Sequence, residues 1–197
     1  MALTAAAPVK VVAICGSLRK DSYNRGLIRA AIELSKGDIE GLQIEDVDIA
    51  ALPMLNTDLE EDGRFPVEVE AFRRKILEAD CFLFASPEYN YSVTAPMKNA
   101  LDWASRPPNM WGGKAAAIVS AAGLFGGAKG QSHLRDIGVF LDLHFVNKPE
   151  FVLDIIHPPP KLDAHGHFPD EHTLLRLKKI LLSLKAFSLQ LRSNNNN

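Results

Sequence analysis

Apolar residues recur along this chain in two alternating rhythms. Short continuous runs, such as Val11 to Ile14, Cys81 to Ala85 and Ala115 to Val119, alternate with segments where apolar side chains return every three or four positions. The continuous runs read as strands buried on both faces, and the helical spacing reads as helices with one apolar face. On this basis the first strand spans Val9 to Ile14, and the first helix runs from Ser22 to Leu34, with Leu27, Ala30, Ala31 and Leu34 inward and a stop near Gly37. The second strand is Leu42 to Ile49. A looser stretch, Leu52 to Arg64, is broken by Pro53, Asn56 and Gly63, and the second helix follows from Pro66 to Ala79. The third strand is Cys81 to Ala85. The third helix begins near Thr94-Ala95-Pro96 and must end by Arg106, because Pro107-Pro108 follows. Ala115 to Ser120 forms the fourth strand, Gln131 to Leu141 the fourth helix, Phe151 to Ile155 the fifth strand, and Asp170 to Leu191 the fifth helix.

Strands alternating with helices predict an α/β fold, a three-layer sandwich whose parallel five-stranded sheet carries helices on both faces. A flavodoxin-like strand order, 2-1-3-4-5, sets strands one, three and four side by side, and ligands in such sheets sit beyond the carboxyl ends of the strands. Residues 1–192 read as one domain without internal repeats, and Ser193 to Asn197 as a disordered tail.

The three loops leaving those adjacent strands carry the candidate chemistry. The first, Gly16-Ser17-Leu18-Arg19 on to Ser22 and Asn24, sets hydroxyls, an amide and a guanidinium at a helix N-terminus. It lacks the dinucleotide GxGxxG and the GxxxxGK[ST] loop, and suits a terminal phosphate with its three free oxygens. An ordinary helix cap with Ser22 at the N-cap explains it equally well. The second loop, Pro87-Glu88-Tyr89-Asn90-Tyr91, offers an apolar face and edge donors to a planar ring. Glu88 reads either as a general acid or base or as a surface partner of a helix dipole, and Tyr91 as a core residue or a rim residue. The third loop, Ser120 to Gly130, holds Gly123, Gly126 and Gly127, which permit close backbone approach or simply a flexible turn.

Composition narrows the field. Apolar residues at 47% and charged residues at 23% are ordinary for a soluble domain, and a net charge of −2 without a basic stripe argues against nucleic acid and anionic membranes. The longest apolar run, Ala115 to Phe125, is too short for an integral membrane segment, and Met1 to Pro8 has neither a signal-peptide pattern nor a myristoylation glycine. Cys15 and Cys81 fall at opposite ends of parallel strands and read as reduced, buried thiols of a cytoplasmic protein. His157, His165, His167 and His172 scatter through a polar loop without metal-ligand spacing. No nucleophile elbow, triad or paired acidic motif is present, which favours a bound cofactor as the seat of the reaction.

At these loops the chain resembles the NADPH-dependent FMN reductase family. The matching motifs are Gly16-Ser17-Leu18-Arg19 with Ser22 and Asn24, Pro87-Glu88-Tyr89-Asn90-Tyr91-Ser92 running into Lys98-Asn99-Ala100-Leu101-Asp102-Trp103, and Gly126-Gly127 leading to His133-Leu134-Arg135. The resemblance covers Val9 to Leu191 and is strongest toward plant-type quinone oxidoreductases, with Asp142 to Phe145 and Lys148-Pro149-Glu150 part of that match. It implies FMN as cofactor, with Ser17, Arg19, Ser22 and Asn24 on its phosphate. Pro87, Glu88, Tyr89 and Asn90 would border the ring, and Ser120, Gly123, Gly126 and Gly127 its other edge. It further implies hydride transfer from NAD(P)H to a quinone by a ping-pong scheme, in a homodimer or homotetramer, with no protein acid or base assigned. Ser132 is smaller than the aromatic residue that several relatives place in a contact between subunits. Free flavin, azo dyes or chromate as acceptors, or an electron carrier of the flavodoxin type, are the rival readings. Arg106, Lys129 and Arg135 are the candidates for a 2′-phosphate contact.

Overall fold

A computed structural model describes residues 7–123, 125–158, 162–163, 165–168 and 171–195. Its strands are β1 (Val9–Cys15), β2 (Leu42–Asp46), β3 (Cys81–Ala85), β4 (Lys114–Ala122), β5 (Leu143–Phe145) and β6 (Phe151–Asp154). Between and after them lie α1 (Tyr23–Gly37), α2 (Val67–Glu78), α3 (Ala95–Ser105), α4 (Ala128–Phe140) and α5 (Glu171–Asn195). The strands pair in parallel in the order β2-β1-β3-β4-β5, as expected. One strand was not expected. β5 pairs with Lys114 to Ala116 and β6 with Val119 to Ala122, so the fifth position of the sheet is shared by two short strands along β4. The sequence reading found only β6, because a three-residue strand directly after a helix is too short to show a period.

Alternate strand residues feed two cores. Val11, Ala13, Cys15 and Leu83 pack with α1 and α5 on one face. Val12, Ile14, Phe82 and Phe84 pack with α2, α3 and α4 on the other, where Trp111 stands edge-on to Phe82 at 4.8 Å. Each large side chain fully withdrawn from water contributes about 1.5–3 kcal/mol, so these two layers supply much of what holds the helices to the sheet.

The element ends moved for local reasons. β2 stops at Asp46 rather than Ile49; Val47 N–H still reaches Ala13 O at 2.9 Å before the chain turns away. α4 starts at Ala128, earlier than Gln131, because Gly127 takes a left-handed conformation that opens the helix at once. α5 continues to Asn195, into the stretch read as a tail; its expected first residue, Asp170, and residues 196–197 lie outside those described. The strand register sets Cys81 opposite Val11 and Cys15 opposite Ala85, which separates the two free, buried thiols along the sheet. Burial pushes the Cys81 thiol up to about 12.

Candidate functional site

β1 hands the chain to its loop at Gly16, which is pinned against the β3 loop. Gly16 N–H donates to Ala85 O at 2.8 Å and Thr94 Oγ1 donates to Gly16 O at 2.6 Å. A Cβ on Gly16 would crowd Ser86 Oγ and stand 3.0 Å from Ser86 Cβ and 3.1 Å from Thr94 Oγ1, so the close approach favours glycine. Beyond it, Ser17 Oγ accepts from Arg19 N–H at 3.3 Å, Ser22 N–H donates to Arg19 O at 3.2 Å, and Ser22 Oγ accepts from Asn24 N–H at 3.2 Å to cap α1. The cap reading of Ser22 therefore holds, alongside its place on the cavity wall. Arg19 is exposed; its guanidinium lies 5.9 Å from the Tyr23 ring centre and has no ion pair among the described residues. Arg25, in contrast, is held by Asp46 at 3.0 Å and Asp48 at 3.8 Å. Burial raises the Asp46 carboxyl, whose Oδ1 has no hydrogen-bond partner.

Asn24 does something other than was expected of it. The side chain is buried, with Nδ2 donating to Ala121 O at 2.7 Å and Oδ1 accepting from Ala121 N–H at 2.9 Å. It ties the start of α1 to the end of β4, and its amide is engaged there.

The β3 loop closes as a tight turn. Tyr89 N–H donates to Ser92 O at 3.1 Å and Ser92 N–H returns to Tyr89 O at 3.0 Å, with Asn90 and Tyr91 at φ of 50° and 63°. Left-handed backbone at both central residues is the hairpin turn that matches strand twist, and an aromatic residue rarely adopts it. The turn lifts Tyr89 and Tyr91 into solvent, 51% and 55% exposed, so Tyr91 is a rim residue. Glu88 Oε2 accepts from Gly130 N–H at 2.9 Å in the first turn of α4, the helix-dipole role. His133 Nδ1 meets Ser92 Oγ at 2.9 Å from the same helix.

The glycine loop is built by packing. Ser120 is fully buried; its Oγ donates to Gly126 O and accepts from Gln131 Nε2 at 2.8 Å, while Gln131 also donates to Phe151 O at 2.8 Å. A Cβ on Gly126 would meet Leu153 N at 2.9 Å, and one on Gly127 would meet Ser120 Oγ at 2.8 Å, both at positive φ. Ser120 thus holds the loop from behind and does not line either cavity described below. Gly123 and Gly127 do face a cavity.

Two cavities lie side by side where these loops meet. The smaller, about 220 Å³, is lined by Ser17, Arg19, Ser22, Asn24, Pro87 and Tyr89 among others. The larger, about 540 Å³, is lined by Glu88, Asn90, Tyr91, Gly123, Phe125, Gly127 and Ile156. Glu88 and Gly123 belong to both. Ile155 and Ile156 were not anticipated; they follow β6, the strand that extends the same sheet end. Asp154 shapes that segment. It is bonded to the His157 ring, and it accepts from Ile156 N–H at 2.8 Å and His157 N–H at 3.3 Å; these contacts hold its carboxyl at about 2. His167 is tied likewise to Asp163, at 3.0 Å.

Residues 9–158 match the family model of NADPH-dependent FMN reductase. The chain is 64% identical over 189 residues to an NAD(P)H:quinone oxidoreductase of Solanum tuberosum, covering 95% of this chain and 97% of that one. It is 62% identical over 192 residues to an NADPH:quinone oxidoreductase of Arabidopsis thaliana, covering 97% and 98%. Among solved structures it is similar to the flavoenzyme NAD(P)H:(acceptor) oxidoreductase from Paracoccus denitrificans, with a TM-score of 0.80, 30% identity, and 92% and 98% coverage.

Proposed function

The chain belongs to the NADPH-dependent FMN reductase family, and on that footing we propose that it is an FMN-dependent NAD(P)H:quinone oxidoreductase. The observation that carries the reading is a pair of adjacent cavities that share Glu88 and Gly123, one bordered by hydroxyls and a guanidinium without an ion pair among the described residues, the other walled by aromatic and aliphatic side chains. The residues present fit the cofactor. Ser17, Arg19, Ser22 and the backbone N–H groups opening α1 suit a terminal phosphate, with Asn24 holding that loop to β4. Pro87, Glu88, Tyr89 and Asn90 would border the ring system chiefly through backbone groups. Gly123, Gly126 and Gly127 would form the opposite edge, with Ser120 keeping Gly126 in place.

FMN bound there supplies the capacity to take up a hydride and give it back. The chain supplies position, polarity and exclusion of water. Tyr91, Phe125 and Ile156 offer an apolar wall against which a nicotinamide and then a quinone would lie in turn. In net terms NAD(P)H loses a hydride, and the quinone gains that hydride and one proton from solvent. Glu88, bonded to Gly130 N–H, orients the two loops and needs no proton-transfer role.

Sharing one cavity implies ping-pong kinetics. Initial velocities measured while NADPH and a benzoquinone are both varied should give parallel double-reciprocal lines; intersecting lines would contradict the shared cavity. Self-association as a homodimer or homotetramer belongs to the same reading, supported by the exposed apolar side chains of Val139 and Phe140 on α4. A cytoplasmic setting is supported by two buried free thiols. Among the described residues no helix is long and apolar enough to cross a membrane.

A further inference from the structure

NADPH differs from NADH by one phosphate, at the 2′ position of its adenosine ribose. A site that favours NADPH needs a cation free to meet that phosphate. Three cations were candidates on sequence, and the structure separates them. Arg106 is closed onto Glu60, with Nε on Oε1 and Nη2 on Oε2 at 3.0 Å. Arg135 is half-buried over the Phe145 ring, with its guanidinium donating to Val146 O at 3.3 Å and Asn147 Oδ1 at 3.2 Å.

Lys129 is different. It is exposed in the first turn of α4 and has no ion pair among the described residues. Its Nζ stands 3.6 Å from the centre of the Tyr91 ring, and Tyr91 lines the 540 Å³ cavity. Glu88, the carboxylate on that cavity wall, is turned onto Gly130 N–H. Arg19, the other unpaired cation of the site, lies in the smaller cavity where the cofactor phosphate is assigned. The rim of the larger cavity therefore carries an available ammonium held over an aromatic face, beside the apolar surfaces of Phe125 and Ile156.

We propose that Lys129 recognises the 2′-phosphate of NADPH and sets the preference for NADPH over NADH, an inference that rests on the oxidoreductase reading above. The Tyr91 ring keeps the ammonium at the rim before the nucleotide arrives, so less side-chain freedom is lost on binding.

The test compares the FMN-loaded wild type with Lys129→Ala and Lys129→Arg. With NADPH, KM should rise about tenfold in Lys129→Ala, the loss of one charge-assisted contact, while KM for NADH changes by less than about twofold. Lys129→Arg keeps the charge and should keep most of the NADPH preference, whereas a merely structural role of the lysine would change KM for both nucleotides alike in Lys129→Ala. A binding measurement independent of turnover uses adenosine 2′,5′-bisphosphate against 5′-AMP by calorimetry. The ratio of their affinities should fall about tenfold in Lys129→Ala. Equal changes for both nucleotides, or no change for either, would overturn the assignment. If the wild type oxidises neither NADPH nor NADH, the oxidoreductase reading fails as well; turnover with both nucleotides at an unchanged ratio sinks the Lys129 assignment alone.

Discussion

Arg19 and Arg25 flank the same helix cap, yet only one has its charge to give. Arg25 is engaged by Asp46 and Asp48, whereas the Arg19 guanidinium lies over the Tyr23 ring and has no ion pair among the described residues. Arg19→Ala should therefore weaken FMN binding by about 1.5–3 kcal/mol, read by quenching of flavin fluorescence on titration, with unfolding stability nearly unchanged. Unchanged affinity would remove the phosphate assignment. Asn24→Ala should behave in the opposite order. It orphans the N–H and C=O of Ala121 in a buried place, so denaturant unfolding should show a loss of about 1–3 kcal/mol. Glu88→Gln keeps an oxygen acceptor for Gly130 N–H, and the pH profile of turnover should keep its shape. Disappearance of one limb would mean that Glu88 moves a proton after all. The types of residue at the site were legible from sequence, but their engagements were not. Nothing in the letters says whether an amide or a hydroxyl near a crevice points at a ligand or at a neighbouring backbone, which is where Asn24 and Ser120 parted from expectation.

Elements were read well where a period had room to repeat. Val69, Phe72 and Ile76 of α2 and Leu27, Ala31 and Leu34 of α1 are buried as their spacing requires. β5, at three residues, has no period to read, and it became visible only through its pairing with β4. The β4–α4 connection is the element most dependent on its residues. Gly127 sits at φ 91° with Ser120 Oγ 2.8 Å from where a Cβ would stand. Gly127→Ala should cost at least ~1–2 kcal/mol from the left-handed backbone alone, lower the melting temperature, and loosen the wall of the larger cavity. The loop after β6 makes a pH prediction. Asp154 is held at about 2 by the His157 ring, and Asp163 at about 2 by the His167 backbone, both below the ordinary 3.8. A depressed carboxyl stabilises the fold above its unfolded value and loses that contribution as pH falls from about 3.8 toward 2. Carboxyl-carbon titration by NMR should find both groups still ionised at pH 3; titration near 4 would contradict the two contacts.

At the scale of the molecule, the sheet order does the assembling. Because β1, β3 and β4 are neighbours, loops far apart in sequence meet over one end of the sheet, and the switch in direction between β1 and β3 leaves the crevice there. That convergence was expected from the alternation of strands and helices taken with a flavodoxin-like strand order, and the family match carries it to a flavin. What alternation did not reveal is the use of the chain just beyond β6, which brings Ile155 and Ile156 to the cavities. The account stands or falls on electrons moving through this one site without a partner protein. The most direct measurement is anaerobic absorbance of the FMN-loaded protein, first mixed with NADPH and then with a quinone. The account predicts that NADPH alone bleaches the flavin band within turnover times and that one equivalent of quinone restores it. A band that persists with NADPH until a second protein is added would contradict the account and make the chain an electron carrier.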